Sequence, residues 1–328
     1  MKTLLLKALR KAYRSATKKQ FPRWSWPSDE EWIYANDTLF HLLSQESPCF
    51  VGRIGTVEGA IVHNKICIPT HPNLLNKLNG CWGYITDNAR MPWWDTGRPF
   101  LELQKNAGFF AKGGVTLELV DRFAEMYLHY IPMMDVCGRF EHYEQYLPFS
   151  PSCKMVQLES LYPFFSDRPW TKTLEGKNVL VVHPFKHTIE KQYAKRKSLF
   201  ANNDILPDFN LKVIKAVQSI AGESTPYNDW FEALDSMKTA IAGTDFDVAI
   251  LGCGAYGLPL AGFIKEELGK KAIHMGGGTQ LMFGIKGRRW TVDYKNSCYR
   301  DMYNEHWVSP EAEERPTKAS QVEGGCYW

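Results

Sequence analysis

Groups that bind phosphate or move protons follow several predicted β-strands of this 328-residue chain. The stretch DVAILGCGAYGLPLAG places Gly252, Gly254 and Gly257 at the G-x-G-x-x-G spacing. Such glycines let backbone amides approach an oxyanion at a helix N-terminus. A dinucleotide site also needs an acid after the next strand, but KKAIHM ends in His274 and Met275. The pattern favours a diphosphate-binding turn, and the alternative is a tight strand-to-helix turn that binds nothing.

A second glycine turn follows the strand KKAIHM. The segment HMGGGTQ contains His274, Gly276 and Gly277, and Gln280 adds a side chain that can form hydrogen bonds. Consecutive amides in such a turn can create an anion-binding concavity. Tyr256, in the first turn, is predicted to stack on a base. We therefore expect both turns to line one ligand pocket, with His274 as a further contact.

The segment GRIGTVEG supplies a cation and an acid beside another predicted turn. Arg53 can fork onto a phosphate, and Gly55 gives the backbone room to turn. Glu58 is predicted either to hold a divalent metal ion or to act as a general base toward a sugar hydroxyl. The alternative is a structural ion pair between Arg53 and Glu58.

The segment HPFKHT adds a histidine at a strand end and a lysine at the start of a helix. His183 is a candidate catalytic residue, and Lys186 is a candidate phosphate-binding cation. A packing role for the imidazole remains open. Four acids from the first half of the chain compete for a further catalytic role: Asp87, Asp95, Asp135 and Glu159. Spacing does not choose among them, and Asp135 is taken as the candidate.

A regular alternation of strands and helices positions these groups from about residue 174 onward. Short apolar runs such as NVLVV alternate with helical patterns, which indicates a mostly parallel, Rossmann-like α/β sheet flanked by helices. Ligands of such sheets bind beyond the carboxyl ends of the strands, where HPF, GCGAYG and HMGGGTQ lie. Upstream, Ser28 and Glu31 form a capping-box pattern, and residues 117–130 show helical periodicity.

The chain divides into a basic N-terminal segment, residues 1–22, and one catalytic domain, residues 23–328. The domain has three predicted parts: an N-terminal half with an irregular aromatic-rich insertion, residues 23–170; a regular βα half, residues 171–290; and an extended, ordered tail, residues 291–328. No internal repeat or low-complexity linker separates them.

The net charge of +3 is unevenly distributed between a basic head, residues 1–22, and a mildly acidic body, residues 23–328. Residues 1–22 hold 7 of the 39 basic residues and no acid, whereas the body has more acids than bases. This distribution disfavours nucleic acid as a partner. The head predicts a short amphipathic helix that either lies on an anionic membrane surface or packs on its own domain.

The expected location is the cytoplasm. No secretory signal and no membrane-spanning apolar run is present, and the eight cysteines form no C-x-x-C pair. The scattered cysteines are typical of buried thiols in a reducing compartment. If the basic head binds lipid, we expect a peripheral position at the inner membrane face.

Several of these segments together resemble the GT-D-like glycosyltransferases of bacterial polysaccharide and capsule clusters. The resemblance covers about residues 45–328 and rests on FVGRIGTVEG, NAGFF, PWTKTLEGKNVLVVHPF, VEGGCYW and the long run DFDVAILGCGAYGLPLAGFIKEELGKKAIHMGGGTQLMFGIKGRRW. It implies a Rossmann-like fold, a nucleoside-diphosphate-sugar donor and a surface-glycan or lipid-linked acceptor.

The family carries an Asp-x-Glu motif, associated with metal and diphosphate, after an Arg-x-Gly strand end. Arg53, Gly55 and Glu58 match this pattern, but Thr56 stands where the aspartate would be. Two possibilities follow for the donor diphosphate. Either Glu58 alone holds Mn²⁺ or Mg²⁺, or basic residues and turn amides neutralise the phosphates.

The expected activity is transfer of a sugar from a nucleoside-diphosphate donor. One alternative is a nucleotide-dependent oxidoreductase or methyltransferase that uses the same glycine turn, although the acid that would bind the ribose is missing. The other is a non-catalytic sugar-nucleotide binder of a glycan pathway, which the replacement at Thr56 keeps open.

Overall fold

Seven short apolar runs form the strands of one sheet. The computed structural model describes residues 2–18, 26–67, 72–89, 98–294, 297–322 and 324–328. The strands are β1 Phe50–Gly52, β2 Val136–Arg139, β3 Lys154–Gln157, β4 Asn178–His183, β5 Asn210–Lys215, β6 Val248–Leu251 and β7 Lys271–His274. Their order across the sheet is β3-β2-β1-β7-β6-β4-β5, and every pairing is parallel. The predicted parallel α/β architecture is therefore confirmed.

Ten α-helices accompany the sheet in the described residues. They are α1 Lys2–Thr17, α2 Asp29–Ser44, α3 Thr56–Cys67, α4 Leu74–Ile85, α5 Arg98–Ala107, α6 Leu117–Tyr130, α7 Lys186–Tyr193, α8 Trp230–Ala242, α9 Gly257–Glu266 and α10 Gly278–Met282. The capping box at the start of α2 is formed as predicted, and α6 has the predicted limits. Helix α7 ends at Tyr193, and a 3₁₀ turn at Arg196–Ser198 follows it.

The sheet separates two apolar cores because successive side chains of a strand point to opposite faces. In β4, Leu180 and Val182 join one core, while Val179 and Val181 join the other. The first core contains residues of α3, α6, α8 and α9, and the second contains residues of α2 and α7. Both faces of the sheet are thus covered, as parallel strands require.

The tail and the head both pack on the domain. Trp307 is buried, and its Nε1–H donates to the Leu199 carbonyl at 2.9 Å, so this part of the tail packs against the domain. In the head, Arg10 and Arg14 of α1 pair with Asp87 just beyond α4. No helix in the described ranges is both long and apolar enough to span a bilayer.

Candidate functional site

A cavity of about 550 Å³ opens at the carboxyl ends of the central strands. Arg53 follows β1, His274 ends β7, Gly252 follows β6, and His183 ends β4; all four line the cavity. Strand β4 leads outward to β5, whereas β6 leads back toward β7. Such a reversal opens a crevice between neighbouring strands, and the volume suits a small ligand. The predicted convergence of strand ends is confirmed.

Arg53 extends across the second glycine turn. A Cβ on Gly276 would lie 3.0 Å from Arg53 Nη1, and Gly276 itself has φ of +57°. The guanidinium lies 4.6 Å from the centre of the Phe140 ring, and Nη2 donates to the Ile54 carbonyl at 3.2 Å. Its buried Nε has no hydrogen-bond partner in the described chain. Arg53 therefore faces the cavity with unused donor capacity.

Glu58 lies in the first turn of α3 and folds back over the turn that precedes it. A Cβ on Gly55 would collide with the Glu58 carboxylate, so only glycine leaves room for this arrangement. Glu58 is buried at the cavity wall, near the partial positive charge of its own helix N-terminus. Sequence analysis left open an ion pair between Glu58 and Arg53. In the described residues the Arg53 guanidinium instead contacts the Ile54 carbonyl and the Phe140 ring.

His183 is a buried, neutral imidazole. Its Nδ1 accepts a hydrogen bond from the Phe185 backbone N–H at 3.0 Å, which places the ring proton on Nε2. Burial lowers the pKa of His183 to about 3. A group with so low a pKa is a poor general base near neutral pH. The predicted catalytic residue is better suited to donate a hydrogen bond from Nε2 to a ligand oxygen.

His274 presents the complementary tautomer. Its Nδ1 lies 3.2 Å from the Leu251 carbonyl, which only accepts, so Nδ1 carries the proton and Nε2 keeps a lone pair. Burial, with a smaller contribution from the nearby Arg53 charge, lowers the pKa of His274 to about 3. The cavity thus combines a neutral donor from His183 with a neutral acceptor from His274. A sugar hydroxyl, which both donates and accepts, matches this pair.

The first glycine turn has mainly steric reasons for its composition. A Cβ on Gly252 would lie 2.7 Å from Thr279 Cβ and would also collide with the His183 ring, and a Cβ on Gly257 would collide with the His274 ring. Gly254 has φ of +59° and open space around its α-carbon. Gly252 and Gly254 line the cavity, whereas Gly257 makes room for His274 beneath α9. The turn therefore positions both imidazoles and leaves its backbone accessible at Gly254.

The second glycine turn is shaped by its aromatic neighbours. A Cβ on Gly277 would lie 2.9 Å from Tyr327 Cε1, and a Cβ on Gly278 would collide with the Tyr162 ring. Gln280 is buried, and its Nε2 donates to the carbonyls of Ile285 at 3.2 Å and Tyr327 at 3.3 Å. This turn lines the cavity, and its side-chain amide holds residue 327 against it.

Tyr256 does not have the predicted position for stacking on a base. It is buried, and its ring stacks on Trp230 with centroids 4.6 Å apart and planes 7° apart. Its hydroxyl lies 3.2 Å from Ser219 Oγ. These contacts fix Tyr256 as a packed wall of the cavity rather than an open platform.

Besides Gly257, two predicted site residues lie outside the cavity wall. Asp135 precedes β2 and so lies at the amino ends of the strands, on the other side of the sheet from the cavity mouth. Its carboxylate accepts hydrogen bonds from the Phe50 N–H and from Lys265 Nζ, each at 2.7 Å. Lys186 begins α7 and lies 3.9 Å from Glu190 on the helix surface. Asp135 and Lys186 are therefore not part of the candidate site. Of the competing acids, Asp87 pairs with α1, and Asp95 lies outside the described residues.

Several residues that spacing did not single out complete the cavity. Glu159, from the turn after β3, is buried at the cavity wall. Burial of the Tyr162 hydroxyl, together with a smaller contribution from the nearby Glu159 charge, raises the pKa of Tyr162. Arg289 lies 4.7 Å from the Tyr327 ring and donates to Cys326 Sγ at 3.3 Å. The aromatic side chains at the cavity belong to Phe140, Phe185, Tyr256, Tyr294, Tyr327 and Trp328. The pair of arginines in KGRRW was the available signal for Arg289.

The donor set around Glu58 does not by itself form a metal cage. No group of three or more His, Cys, Asp or Glu side chains converges on a metal-sized site within the described ranges. Glu58 is the residue that would hold a divalent cation, and the remaining oxygens would have to come from phosphates or water. All eight cysteines lie in the described ranges and remain thiols.

Comparison of the chain with protein-family models, with curated proteins and with solved structures found no match. Function is therefore inferred from the cavity and from the residues that line it.

Proposed function

We propose that this protein is a glycosyltransferase that takes a sugar from a nucleoside-diphosphate donor to a surface-glycan or lipid-linked acceptor. The observation that carries the proposal is Arg53, which crosses the Gly276 turn at the carboxyl edge of the sheet with an unpartnered, buried Nε. A guanidinium forms charge-assisted hydrogen bonds with phosphate oxygens. The backbone at Gly254 and the Arg289 side chain lie at the same cavity.

The remaining walls are suited to the sugar and the base. His183 offers a hydrogen-bond donor and His274 an acceptor, both uncharged near neutral pH because burial lowers their pKa values to about 3. Sugar hydroxyls match both groups. The Tyr294 and Tyr327 rings at the cavity add apolar area against which a base or a sugar ring can pack.

Two buried carboxylates at the cavity wall are candidates for proton transfer. In the proposed step, an acceptor hydroxyl oxygen forms a bond to the anomeric carbon while the bond from that carbon to the diphosphate oxygen breaks. The hydroxyl proton passes to Glu58 or Glu159, both of which line the cavity. The nucleoside diphosphate leaves with its added negative charge held by Arg53 and turn amides.

The rival oxidoreductase and methyltransferase functions find less support. The chain has His274 at the end of β7, where a ribose-binding acid would be required. A neutral imidazole accepts one hydrogen bond there but cannot form the bidentate contact of a carboxylate to a ribose diol. A non-catalytic sugar-nucleotide binder shares the same cavity and differs only in turnover.

A ligand panel separates these classes. We expect UDP or GDP to raise the melting temperature by mass action, while CMP, NAD and S-adenosylmethionine do not, with manganese present or absent. Stabilisation by NAD or S-adenosylmethionine alone would contradict the proposal. Hydrolysis or transfer of the matching nucleotide sugar would distinguish an enzyme from a binder. If Glu58→Gln or Glu159→Gln loses this turnover but keeps its affinity for UDP or GDP, the substituted residue is the base.

A further inference from the structure

Two adjacent helices, α1 and α4, together expose an unusual amount of apolar surface. Their large exposed side chains are Leu4, Leu5, Leu9, Leu74, Leu75, Leu78 and Trp82. These are seven of the fifteen large apolar side chains that are exposed in the described chain, so the exposure is clustered. A single exposed leucine is ordinary, but a cluster of this kind marks an interaction surface.

The face of α4 is continuous. Leu74, Leu78 and Trp82 are spaced at i, i+4 and i+8, which places them on one side of the helix. Their exposed fractions are 73%, 58% and 63%. The opposite side of α4 carries Gly80 and Tyr84, which are buried against the domain. The helix is therefore firmly seated while its most apolar face points away from the core.

Helix α1 adds positive charge beside this face. The Arg10 guanidinium lies 4.5 Å from the centre of the Tyr84 ring, so α1 packs directly on α4. Lys7 and Lys11 are exposed on α1 and lie one helical turn apart, on the same side. Residues 2–18 and 72–86 contain basic residues but no aspartate or glutamate. Asp87, the acid that follows α4, is engaged by Arg10 and Arg14.

We propose that α1 and α4 form a docking surface for an anionic lipid bilayer. Leucine side chains and a tryptophan enter the interface between headgroups and acyl chains, and the lysines contact anionic headgroups. A second copy of this chain is a poorer occupant, because a two-fold interface would bring two acid-free, basic helices together. The surface would hold the cavity near a lipid-linked acceptor, but lipid binding by these helices does not depend on the proposed chemistry.

Co-sedimentation of the full chain with vesicles tests this surface. We expect binding to vesicles of phosphatidylcholine mixed with phosphatidylglycerol, little binding to phosphatidylcholine alone, and weakening by salt. The double variant Leu78→Ser/Trp82→Ser should lose about tenfold or more of the vesicle partition coefficient through lost apolar burial. Lys7→Gln/Lys11→Gln should lose a similar factor, on anionic vesicles only.

The matched control is Ile33→Ser/Tyr34→Ser on α2, where the side chains are also exposed but belong to a helix that packs in the second core. It should bind vesicles as the unaltered chain does. Equal binding by Leu78→Ser/Trp82→Ser, or no vesicle binding at all, would overturn the proposal. The proposal would also be overturned if sedimentation velocity without lipid showed a dimer of the unaltered chain that Leu78→Ser/Trp82→Ser abolishes. No nucleotide is used in this assay, so failure here leaves the glycosyltransferase proposal standing.

Discussion

At the scale of single residues, the contacts of the glycines explain how the cavity keeps its shape. Gly252 lies against both the His183 ring and Thr279, and Gly55 lies under the Glu58 carboxylate. In each case the missing side chain makes room for a polar group that lines the cavity or packs behind it. The glycine pattern is therefore as much a packing requirement of the site as a phosphate-binding signal.

Gly252→Ala should destabilise the fold and distort the site. The new methyl group would meet Thr279 Cβ at 2.7 Å and the His183 ring. Overpacking of this kind costs about 1–3 kcal/mol of unfolding free energy. Urea denaturation measures it. Gly113→Ala is the matched control, because no atom lies within 4 Å of the place its methyl group would take, and it should change stability by less than about 0.5 kcal/mol. Equal stability of the two variants would contradict the packing role of Gly252.

The sequence predicted some of the site residues and not others, for identifiable reasons. Arg53 and Gly252 directly follow strands and His274 ends one, so strand position alone brings them to one edge. Asp135 precedes β2, so it lies at the amino ends of the strands, away from the cavity. Its pairing with Lys265, 130 positions later in the sequence, had no local signal. Arg289 contacts Tyr327 and Cys326, which are more than 35 positions away in the sequence, so no local pattern indicated its place at the cavity.

At the scale of elements, a buried acid helps to attach α1 to the domain, beside the contacts of Arg10 with Tyr84 and Tyr143. Asp87 has a fully buried side chain and a φ of +64°, and it accepts hydrogen bonds from Arg10 and Arg14. Burial alone would raise the pKa of Asp87, but the hydrogen bonds from the two arginines outweigh it and hold the pKa below its usual value. The sequence predicted the α1 helix but not this anchor, which joins residues more than 70 positions apart.

Asp87→Asn should release α1 while leaving the sheet intact. Asparagine tolerates a positive φ, so the change removes charge without straining the backbone. The Asp87 side chain is buried, but Arg10 and Arg14 are partly exposed, so we expect the loss of the charge to cost about 1–3 kcal/mol, enough to loosen a terminal helix. Hydrogen exchange should accelerate in residues 2–18 only. Asp245→Asn is the control, because that side chain is 78% exposed and its ion pairs contribute little. Unchanged exchange in α1 would contradict the anchor.

The strand-and-helix alternation was the most predictable part of the fold. Short apolar runs identified β4, β6 and β7, and glycines lie at the C-terminal end of α8 and in the turn before β7. The order of the strands across the sheet was not predictable, because β1 pairs with β7 from the far end of the chain. Such long-range pairing has no local signal.

At the scale of the whole molecule, two buried histidines make stability depend on pH. Burial lowers the pKa values of His183 and His274 from 6.5 to about 3. Above pH 6.5 both are neutral in the folded and unfolded states. Below pH 6.5 both histidines bind protons in the unfolded chain but stay neutral in the folded chain, so the stability that they contribute falls as the pH falls toward 3. Burial raises the pKa of Glu144 to about 7, which acts in the opposite direction.

His183→Gln should remove one part of this pH dependence. Each histidine contributes a slope of at most about 1.4 kcal/mol per pH unit. Between pH 6.5 and 5, urea denaturation of the variant should show a slope that is lower by about 1 kcal/mol per unit than that of the unaltered chain. The matched control is His41→Gln, at an exposed site on α2. Parallel pH profiles for the unaltered chain and His183→Gln would contradict a neutral, buried His183.

The binding of a nucleoside diphosphate through Arg53 is the central claim, and calorimetric titration of UDP and GDP tests it most directly. The unaltered chain should bind one of them, and Arg53→Ala should weaken binding by about tenfold or more through lost charge-assisted hydrogen bonds. Arg139→Ala, at an exposed position that ends β2, should bind as the unaltered chain does. We predict loss of affinity only in Arg53→Ala. Equal affinity of both variants, or no binding of either nucleotide by the unaltered chain, would contradict the claim.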